Sequence, residues 1–379
     1  MIGIREAALV LESGKYFVGT GFGATKTVSG ELVFTTVTAA GYNAVLTDPS
    51  NQRQIFTMTF PTIGNYGVPA WVPDEFGLFQ HFESDSVRVG GFVVYECCKQ
   101  PSHWESTRTL DTFLQEQNVP GIEGVDTRAI TRILRSEGLQ KCILQVLPEG
   151  ELPDISALQD AVHVTEDINT RDLCAEVSIK DVKMYNTRAP EKIVIIDMGV
   201  KHNIIRNLCK RNFCVVRVPY NTSYEQIMTF APKGIVISNG PGDPKMCKPA
   251  IAVAKQCIDD EVPLFGICLG NQIIGLAAGG NTYRLKYGHR GGNKPCIDLT
   301  TNSCYITTQN HSYVVDPETI KGAGFKPYFT NVDDKSLEGL YHPEKPVFSV
   351  QFHPEAFPGP RDPNFLFDKF EKLIRGGKN

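Results

Sequence analysis

From Lys192 onward the chain repeats one pattern: a short run of almost wholly apolar residues, then a stretch with apolar residues at helical spacing. Residues 193–197 are followed by Ile204, Ile205, Leu208 and Cys209 on one helical face, and then by the apolar run 214–218. A second round places 234–238 before a Gly-Pro-Gly loop, a helix near 249–258 and a strand over 263–267. Strands without polar alternation need apolar cover on both faces, and helical crossovers make neighbouring strands parallel. The pattern therefore predicts an α/β fold with a mainly parallel sheet covered by helices. In such sheets, sites form beyond the carboxyl ends of the strands.

The stretch Pro263-Leu-Phe-Gly-Ile-Cys-Leu-Gly-Asn-Gln272 puts a cysteine at one of those ends. Glycines at 266 and 270 leave room for a sharp turn from strand into a helix over 269–278, as in the Gly-x-Ser-x-Gly elbow of serine hydrolases. A helix N-terminus and a nearby cation are the surroundings that populate a thiolate, so Cys268 is a candidate nucleophile. Taken alone, the same residue reads equally well as a small buried hydrophobe.

A cysteine nucleophile needs a base and a group to orient it. Phe352-His-Pro-Glu-Ala356 offers both: residues two apart in an extended segment face one side, and Pro354 disfavours helix at His353. His353 and Glu355 should project together, with the carboxylate fixing the imidazole tautomer. Ser238-Asn-Gly-Pro-Gly-Asp-Pro244 follows an apolar strand one unit before the cysteine, so it should lie at the same sheet edge. Gly240 and Gly242 let its backbone approach a ligand, and free N–H groups there suit an oxyanion. His202, His289, His311 and His342 lack neighbouring carboxylates at ligand spacing, so they are assigned to packing or substrate-adjacent hydrogen bonding, with no metal site.

The 379 residues exceed the usual size of one core and predict two domains. A net charge of -4 leaves no basic excess for phosphates, which argues against nucleic acid. The eleven cysteines are odd in number, scattered, and include no C-x-x-C pair, so reduced thiols in a cytoplasmic setting are expected rather than a disulfide framework. No apolar run nears the ~18 residues of a membrane span, and residues 1–12 read as neither signal nor transit peptide.

Residues 1–188 read as a mixed, β-rich domain, with strands over 7–11, 31–36, 54–60 and 91–95 and helices over 110–117 and 127–137. Periodicity fades between Pro153 and Pro190, which puts the boundary near Arg188 and begins the second domain, 192–379. Its later part predicts strands over 295–299, 304–308 and 346–352. A helix over 364–375 carries Leu366, Phe370 and Leu373 on one side and ends at Gly376-Gly377.

Elbow, Gly-Pro-Gly loop and His-Pro-Glu, in this order, resemble the class I, triad type of glutamine amidotransferase over residues 192–379. Leu46-Thr-Asp-Pro-Ser50, Phe60-Pro-Thr-Ile-Gly-Asn-Tyr-Gly67 and Gly124-Val-Asp-Thr-Arg128 narrow the resemblance to the small, glutamine-hydrolysing component of carbamoyl phosphate synthetase over essentially the whole chain. Gly288-His-Arg-Gly-Gly-Asn293 and Gln309-Asn-His-Ser-Tyr313 fit the same family.

The resemblance implies Cys268 as nucleophile, His353 as base and Glu355 as its partner. It implies a glutamine pocket of Ser50, Gly240, Gly242, Leu269, Gln272, Asn310, Ser312 and Tyr313, with the N–H groups of Gly240 and Leu269 as oxyanion donors. The product would be ammonia for carbamoyl phosphate synthesis in the pyrimidine or arginine pathway. The partner would be a synthetase large subunit or fused synthetase domain, which alone carries ATP and Mg; this chain has no Gly-x-x-x-x-Gly-Lys-Ser/Thr loop and needs no cofactor. Three positions depart from the family: Asn271 where His is common, Ser312 for a usual Gly, and Tyr313 where Phe is also found. A stand-alone γ-glutamyl amide hydrolase and a catalytically silent regulatory subunit remain the rival readings.

Overall fold

A computed structural model describes residues 5–38 and 41–376, and these pack as two units. One takes the chain to Val72 and again over Phe79–Thr170; the other takes Pro73–Leu78 and the chain from Arg171. The start of the N-terminal segment and Gly377 lie outside the described residues.

The first unit is a closed barrel, a closure that the isolated strand signals did not predict. Its strands are β1 (Glu6–Leu11), β2 (Tyr16–Gly23), β3 (Thr27–Thr35), β4 (Gln54–Met58), β6 (Gly91–Val93), β8 (Pro120–Glu123) and β9 (Gln140–Val146). They run in the order β1-β2-β8-β6-β4-β3-β9, and β9 pairs back onto β1. Two short strands, β5 (Thr62–Ile63) and β7 (Glu96–Cys97), pair apart from the barrel. The helices are α1 (Tyr42–Thr47), α2 (Leu110–Glu116), α3 (Thr127–Glu137) and α4 (Ile155–Val164). Asp126 and Asp154 cap α3 and α4 by accepting the N–H of Ala129 and Ala157, which explains where both helices begin.

The second unit holds a ten-stranded sheet. It contains β10 (Lys183–Tyr185), β11 (Glu191–Asp197), β12 (Phe213–Pro219), β13 (Gly234–Ile237), β14 (Leu264–Ile267), β15 (Thr282–Asp298), β16 (Ser303–Val315), β17 (Lys326–Asn331), β18 (Leu337–Tyr341) and β19 (Val347–Val350). The order is β10-β12-β11-β13-β14-β19-β18-β17-β15-β16. From β12 to β19 the neighbours are parallel; β10 and the wing from β18 to β16 are antiparallel. Its helices are α5 (Leu173–Val177), α6 (His202–Lys210), α7 (Tyr224–Met228), α8 (Lys248–Asp259), α9 (Leu269–Ala277) and α10 (Phe365–Ile374).

The apolar strands are covered twice, as their lack of alternation requires. Val194, Ile196, Ile235, Ile237 and Leu264 face a core with Ala250, Val253, Ala254 and Cys257 of α8 and Ile273 and Ile274 of α9. Ile193, Ile195, Val236, Phe265 and Ile267 face the other core, with Ile204, Ile205 and Leu208 of α6 and Leu366, Phe367, Phe370 and Leu373 of α10. Each fully buried Val, Leu, Ile or Phe among them contributes about 1.5–3 kcal/mol relative to exposure.

Residues 171–188, expected in the first domain, pack with the second unit. Strand β10 pairs with β12, the Ile179 N–H donates to Asp197 Oδ2 at 2.8 Å, and Cys174 joins the core under α8. Short polar segments carry little periodicity, so their allegiance is set by tertiary pairing. The antiparallel wing is also longer than predicted, because β15 and β16 form one extended ribbon and β17 and β18 are additional strands.

Candidate active site

Sheet order brings three loops to one place. Strand β14 lies between β13 and β19, parallel to both, so the segments leaving their carboxyl ends are neighbours. They are Gly240-Pro-Gly242, Cys268, and His353-Pro-Glu355. Residues 85 positions apart in sequence thereby share one sheet edge: His353 follows β19 and Cys268 follows β14.

Cys268 is the N-cap of α9, with φ 56° and ψ -103°. For a residue with a Cβ this backbone is strained by about 1–3 kcal/mol, and it persists because the surroundings fix it. The Cys268 N–H donates to Val350 O at 2.8 Å, and its carbonyl accepts the Asn271 N–H at 3.0 Å. The turn is tight enough that a Cβ on Gly270 would stand 2.1 Å from Ile237 O, and one on Gly266 would stand 2.6 Å from Gly270 O. Both positions require glycine.

His353 is tied back to β16, its N–H donating to Thr308 O at 2.8 Å. Its Nδ1 lies 2.6 Å from Glu355 Oε1. The pairing of His353 with Glu355 expected from sequence is therefore present, but a turn at Pro354 and Glu355 makes it rather than the extended segment expected. Glu355 Oε1 also lies 2.8 Å from Lys201 Nζ, and Lys201 donates to Phe357 O at 2.6 Å. All three charged groups are at most 2% exposed. Burial would raise the Glu355 carboxyl, but the charges of Lys201 and His353 hold it down at about 2. Burial would likewise lower the His353 imidazole, but the Glu355 carboxylate and the Cys268 thiolate raise it to about 10.

Lys201 was not singled out from sequence. It sits in Asp197-Met-Gly-Val-Lys201, just beyond β11 and next to the Gly-Pro-Gly strand, so the rule that placed Cys268 also covered it. Gln351 was missed as well, being the polar member of an apolar strand end. Its Nε2 points at Cys268 Sγ from 3.8 Å, while its Oε1 accepts from Asn271 Nδ2 at 3.1 Å and Gln272 Nε2 at 3.3 Å. Ser349 Oγ completes the chain by donating to Asn271 Oδ1 at 2.8 Å.

Residues of the second unit that the resemblance assigns to the pocket lie near the same edge. Cys268 Sγ faces Asn310 O at 3.8 Å, and Gln272 Nε2 donates to Tyr313 O at 2.8 Å, which fixes β16 against α9. Ser312 Oγ accepts from Arg290 Nη2 at 2.6 Å, a use for the hydroxyl that replaces glycine. Leu269 begins α9, and among the described residues neither its N–H nor that of Gly240 has a backbone partner. Gly242 follows in the same loop. Ser50 belongs to the first unit, in the 3-10 turn Pro49–Asn51, where its N–H donates to Asp48 Oδ1 at 2.9 Å.

One expectation is corrected. His289 and His311 have no carboxylate near them in sequence, but they do in space. His289 Nε2 lies 2.8 Å from Asp334 Oδ2, 45 residues along the chain, and both rings face Glu338 of β18. Strand pairing across the antiparallel wing creates the cluster, which is why spacing did not reveal it. His342 matches the packing assignment better, its Nδ1 accepting the N–H groups of Glu344 and Lys345.

Among known protein families, glutamine amidotransferase class-I matches residues 194–373, and the carbamoyl-phosphate synthase small chain, CPSase domain, matches residues 9–144. The carbamoyl phosphate synthase small chain of Methanocaldococcus jannaschii is 48% identical over 370 residues, covering 97% of this chain and 99% of that one. The arginine-specific small chain of Saccharomyces cerevisiae carbamoyl phosphate synthase is 42% identical, over 96% of this chain and 88% of its own. The multifunctional protein CAD of Squalus acanthias is 44% identical over 98% of this chain, but that stretch is only 16% of CAD.

Proposed function

The chain belongs to the carbamoyl phosphate synthase small-chain family, and we propose that it hydrolyses L-glutamine through a Cys268–His353–Glu355 triad and supplies the ammonia for carbamoyl phosphate synthesis. The observation that carries this reading is the alignment of a strained cysteine and a buried His–Glu pair at the ends of two adjacent parallel strands.

The charges on the site define the order of steps. The Glu355 carboxylate holds the His353 imidazole above its ordinary range against burial, so His353 takes the Cys268 thiol proton as base and then serves as acid. The sulfur attacks the glutamine carboxamide carbon, and the N–H groups of Gly240 and Leu269 hold the oxyanion. One such donor is typically worth about 2.7–4 kcal/mol. Collapse of the tetrahedral adduct breaks the C–N bond, and His353 gives its proton to the departing ammonia.

In the thioester the sulfur no longer carries charge, so one of the two groups that raise His353 is gone. The neutral imidazole then takes a proton from water, the hydroxide attacks the thioester, and glutamate leaves as the thiolate reforms. Glu355 keeps its charge throughout, because Lys201 holds it down independently of His353. The substrate's other contacts fall to Gln272, Asn310, Ser312 and Tyr313.

Ammonia released into water would be protonated and lost, which supports delivery to a synthetase large subunit or fused synthetase domain. ATP and Mg belong to that partner, and this chain requires no cofactor for hydrolysis. The carbamoyl phosphate so formed serves pyrimidine or arginine synthesis. No helix among the described residues is long and apolar enough to cross a membrane, and eleven free cysteines support a reducing, cytoplasmic setting. Ammonia release from glutamine by the unaltered chain and by Cys268→Ala, with and without a synthetase subunit, tests the reading. Cys268-dependent release is expected; its absence under both conditions overturns the assignment.

A further inference from the structure

Behind the glutamine pocket, three strands of the antiparallel wing bring three metal-type ligands together. His289 of β15 and His311 of β16 are register partners, and Glu338 projects from β18. One ligand atom from each lies within 4.8 Å of the others. All three side chains are buried, Glu338 completely.

The hydrogen bonds around the cluster orient its lone pairs. His311 Nδ1 stands 3.1 Å from Tyr313 O, which only accepts, so the proton sits on Nδ1 and Nε2 carries a lone pair. His289 Nε2 stands 2.8 Å from Asp334 Oδ2, which places a proton there and turns Nδ1 inward. These are the partners that metal-bound histidines ordinarily have on their far nitrogens: a backbone carbonyl in one case, a carboxylate in the other. Among the described residues, His311 Nε2 and Glu338 Oε2 have no hydrogen-bond partner, although both are buried.

The spacing suits a metal better than direct contact. His289 Nδ1 lies 3.3 Å from Glu338 Oε1, and His311 Nε2 lies 3.7 Å from it. Ligands at about 2.0–2.1 Å from a tetrahedral centre are separated by roughly 3.3–3.4 Å. Neighbouring Ser336 and Asn331 donate toward Glu338 Oε1 at 3.2 Å and 3.5 Å, which leaves Oε2 free to turn to a cation. A divalent ion would also be balanced by the two carboxylates Glu338 and Asp334.

We propose that His289 Nδ1, His311 Nε2 and Glu338 form a binding site for one divalent transition-metal ion, with zinc the best match to two imidazoles and a carboxylate. Water fills the fourth position, and Asp334 and the Tyr313 carbonyl orient the histidines. The site ties β15, β16 and β18 together where the strands carry the pocket. His311 lies between Asn310 and Ser312, the Tyr313 carbonyl that orients it also accepts from Gln272, and the Glu338 carbonyl accepts the Gln351 N–H at 2.8 Å. The ion is structural, takes no part in the hydrolytic steps, and is assigned independently of the glutaminase reading.

Cobalt(II) titration of the full chain, stripped of metal with a chelator and kept reduced, tests the site directly. One equivalent is expected to give visible d–d bands without the near-ultraviolet thiolate band that any of the eleven cysteines would add, and zinc should displace it. Glu338→Gln and His289→Gln should abolish the bands. Asp334→Asn, at a half-exposed position that spares the core, should keep the fold and weaken binding by about 10–100-fold, the usual loss for an outer partner. Failure of the unaltered chain to bind cobalt overturns the proposal. So does a complex with the thiolate band, or one that Asp334→Asn and Glu338→Gln leave unchanged.

Discussion

Lys201 Nζ and His353 Nδ1 share one oxygen of Glu355, at 2.8 Å and 2.6 Å, with all three side chains buried. The Glu355 carboxylate is thus held from two sides, by a fixed cation and by the imidazole it orients. Asn203 Nδ2 also donates to the Glu355 carbonyl, so the start of α6 grips the backbone of the same residue. Lys201→Met removes the fixed cation while keeping most of the side-chain volume. Loss of one partner of a buried pair costs about 3–5 kcal/mol, measurable by urea unfolding. A carboxylate released on one side also lets the imidazole drift, and misplacement of a catalytic group by about 1 Å costs up to a hundredfold. We expect kcat for glutamine hydrolysis to fall well beyond any change in KM.

The triad should also be visible in the titration of His353. Its imidazole is held at about 10, by Glu355 first and the Cys268 thiolate second, against burial. The unfolded value is about 6.5, so this group's stabilisation is complete below that pH and is lost as pH rises through the folded value. Glu355, held at about 2, contributes fully above about 4.3 and loses its contribution as pH falls through the lower value. Both contributions are whole between about 4.3 and 6.5. Histidine-selective NMR should find the His353 midpoint lowered in Cys268→Ser and lowered further in Glu355→Gln. Equal midpoints in all three proteins would contradict the assigned charges.

At Gly270 the constraint is steric. A Cβ there meets the Ile237 carbonyl at 2.1 Å, and backbone of a central strand has no room to retreat. Gly270→Ala should therefore destabilise the second unit by more than about 3 kcal/mol, in the range of severe core substitutions. Thermal unfolding of this variant beside Gly292→Ala, whose Cβ meets only Thr308 Oγ1 at 4.0 Å, separates crowding from simple loss of glycine.

What the sequence revealed depended on how local the signal was. The clustering of Cys268, His353 and Glu355 was legible because strand, elbow and His-Pro-Glu are each contiguous, and because parallel neighbours place their carboxyl ends together. Helix α3 was predicted to the residue, since Asp126 and Gly138 bracket its apolar stripe. Barrel closure was not legible, because it lies in the pairing of β1 with β9, far apart in the chain. Lys201, Gln351 and the His289–His311–Glu338 cluster were missed for the same reason. Each owes its role to partners brought by strand order, and none has a neighbour in sequence that betrays it.

Asn271, the clearest departure from the family's usual residues, offers a last test. Its amide does two things at once: it accepts from Ser349 Oγ at 2.8 Å and donates to Gln351 Oε1 at 3.1 Å, and so keeps the Gln351 Nε2 turned toward the Cys268 sulfur. A neutral histidine also has one acceptor and one donor nitrogen, so it can serve both neighbours in the same way. Asn271→His should retain kcat within a few-fold. Asn271→Leu fills the space but satisfies neither neighbour, leaving two buried polar groups at about 1–3 kcal/mol each. Gln351 is then free to rotate, and its N–H no longer faces the thiolate. The expected result is a large loss of kcat in Asn271→Leu with Asn271→His near the unaltered protein, read from initial rates of glutamate formation. Equal losses in both would mean that shape, rather than the hydrogen-bond chain, governs this position.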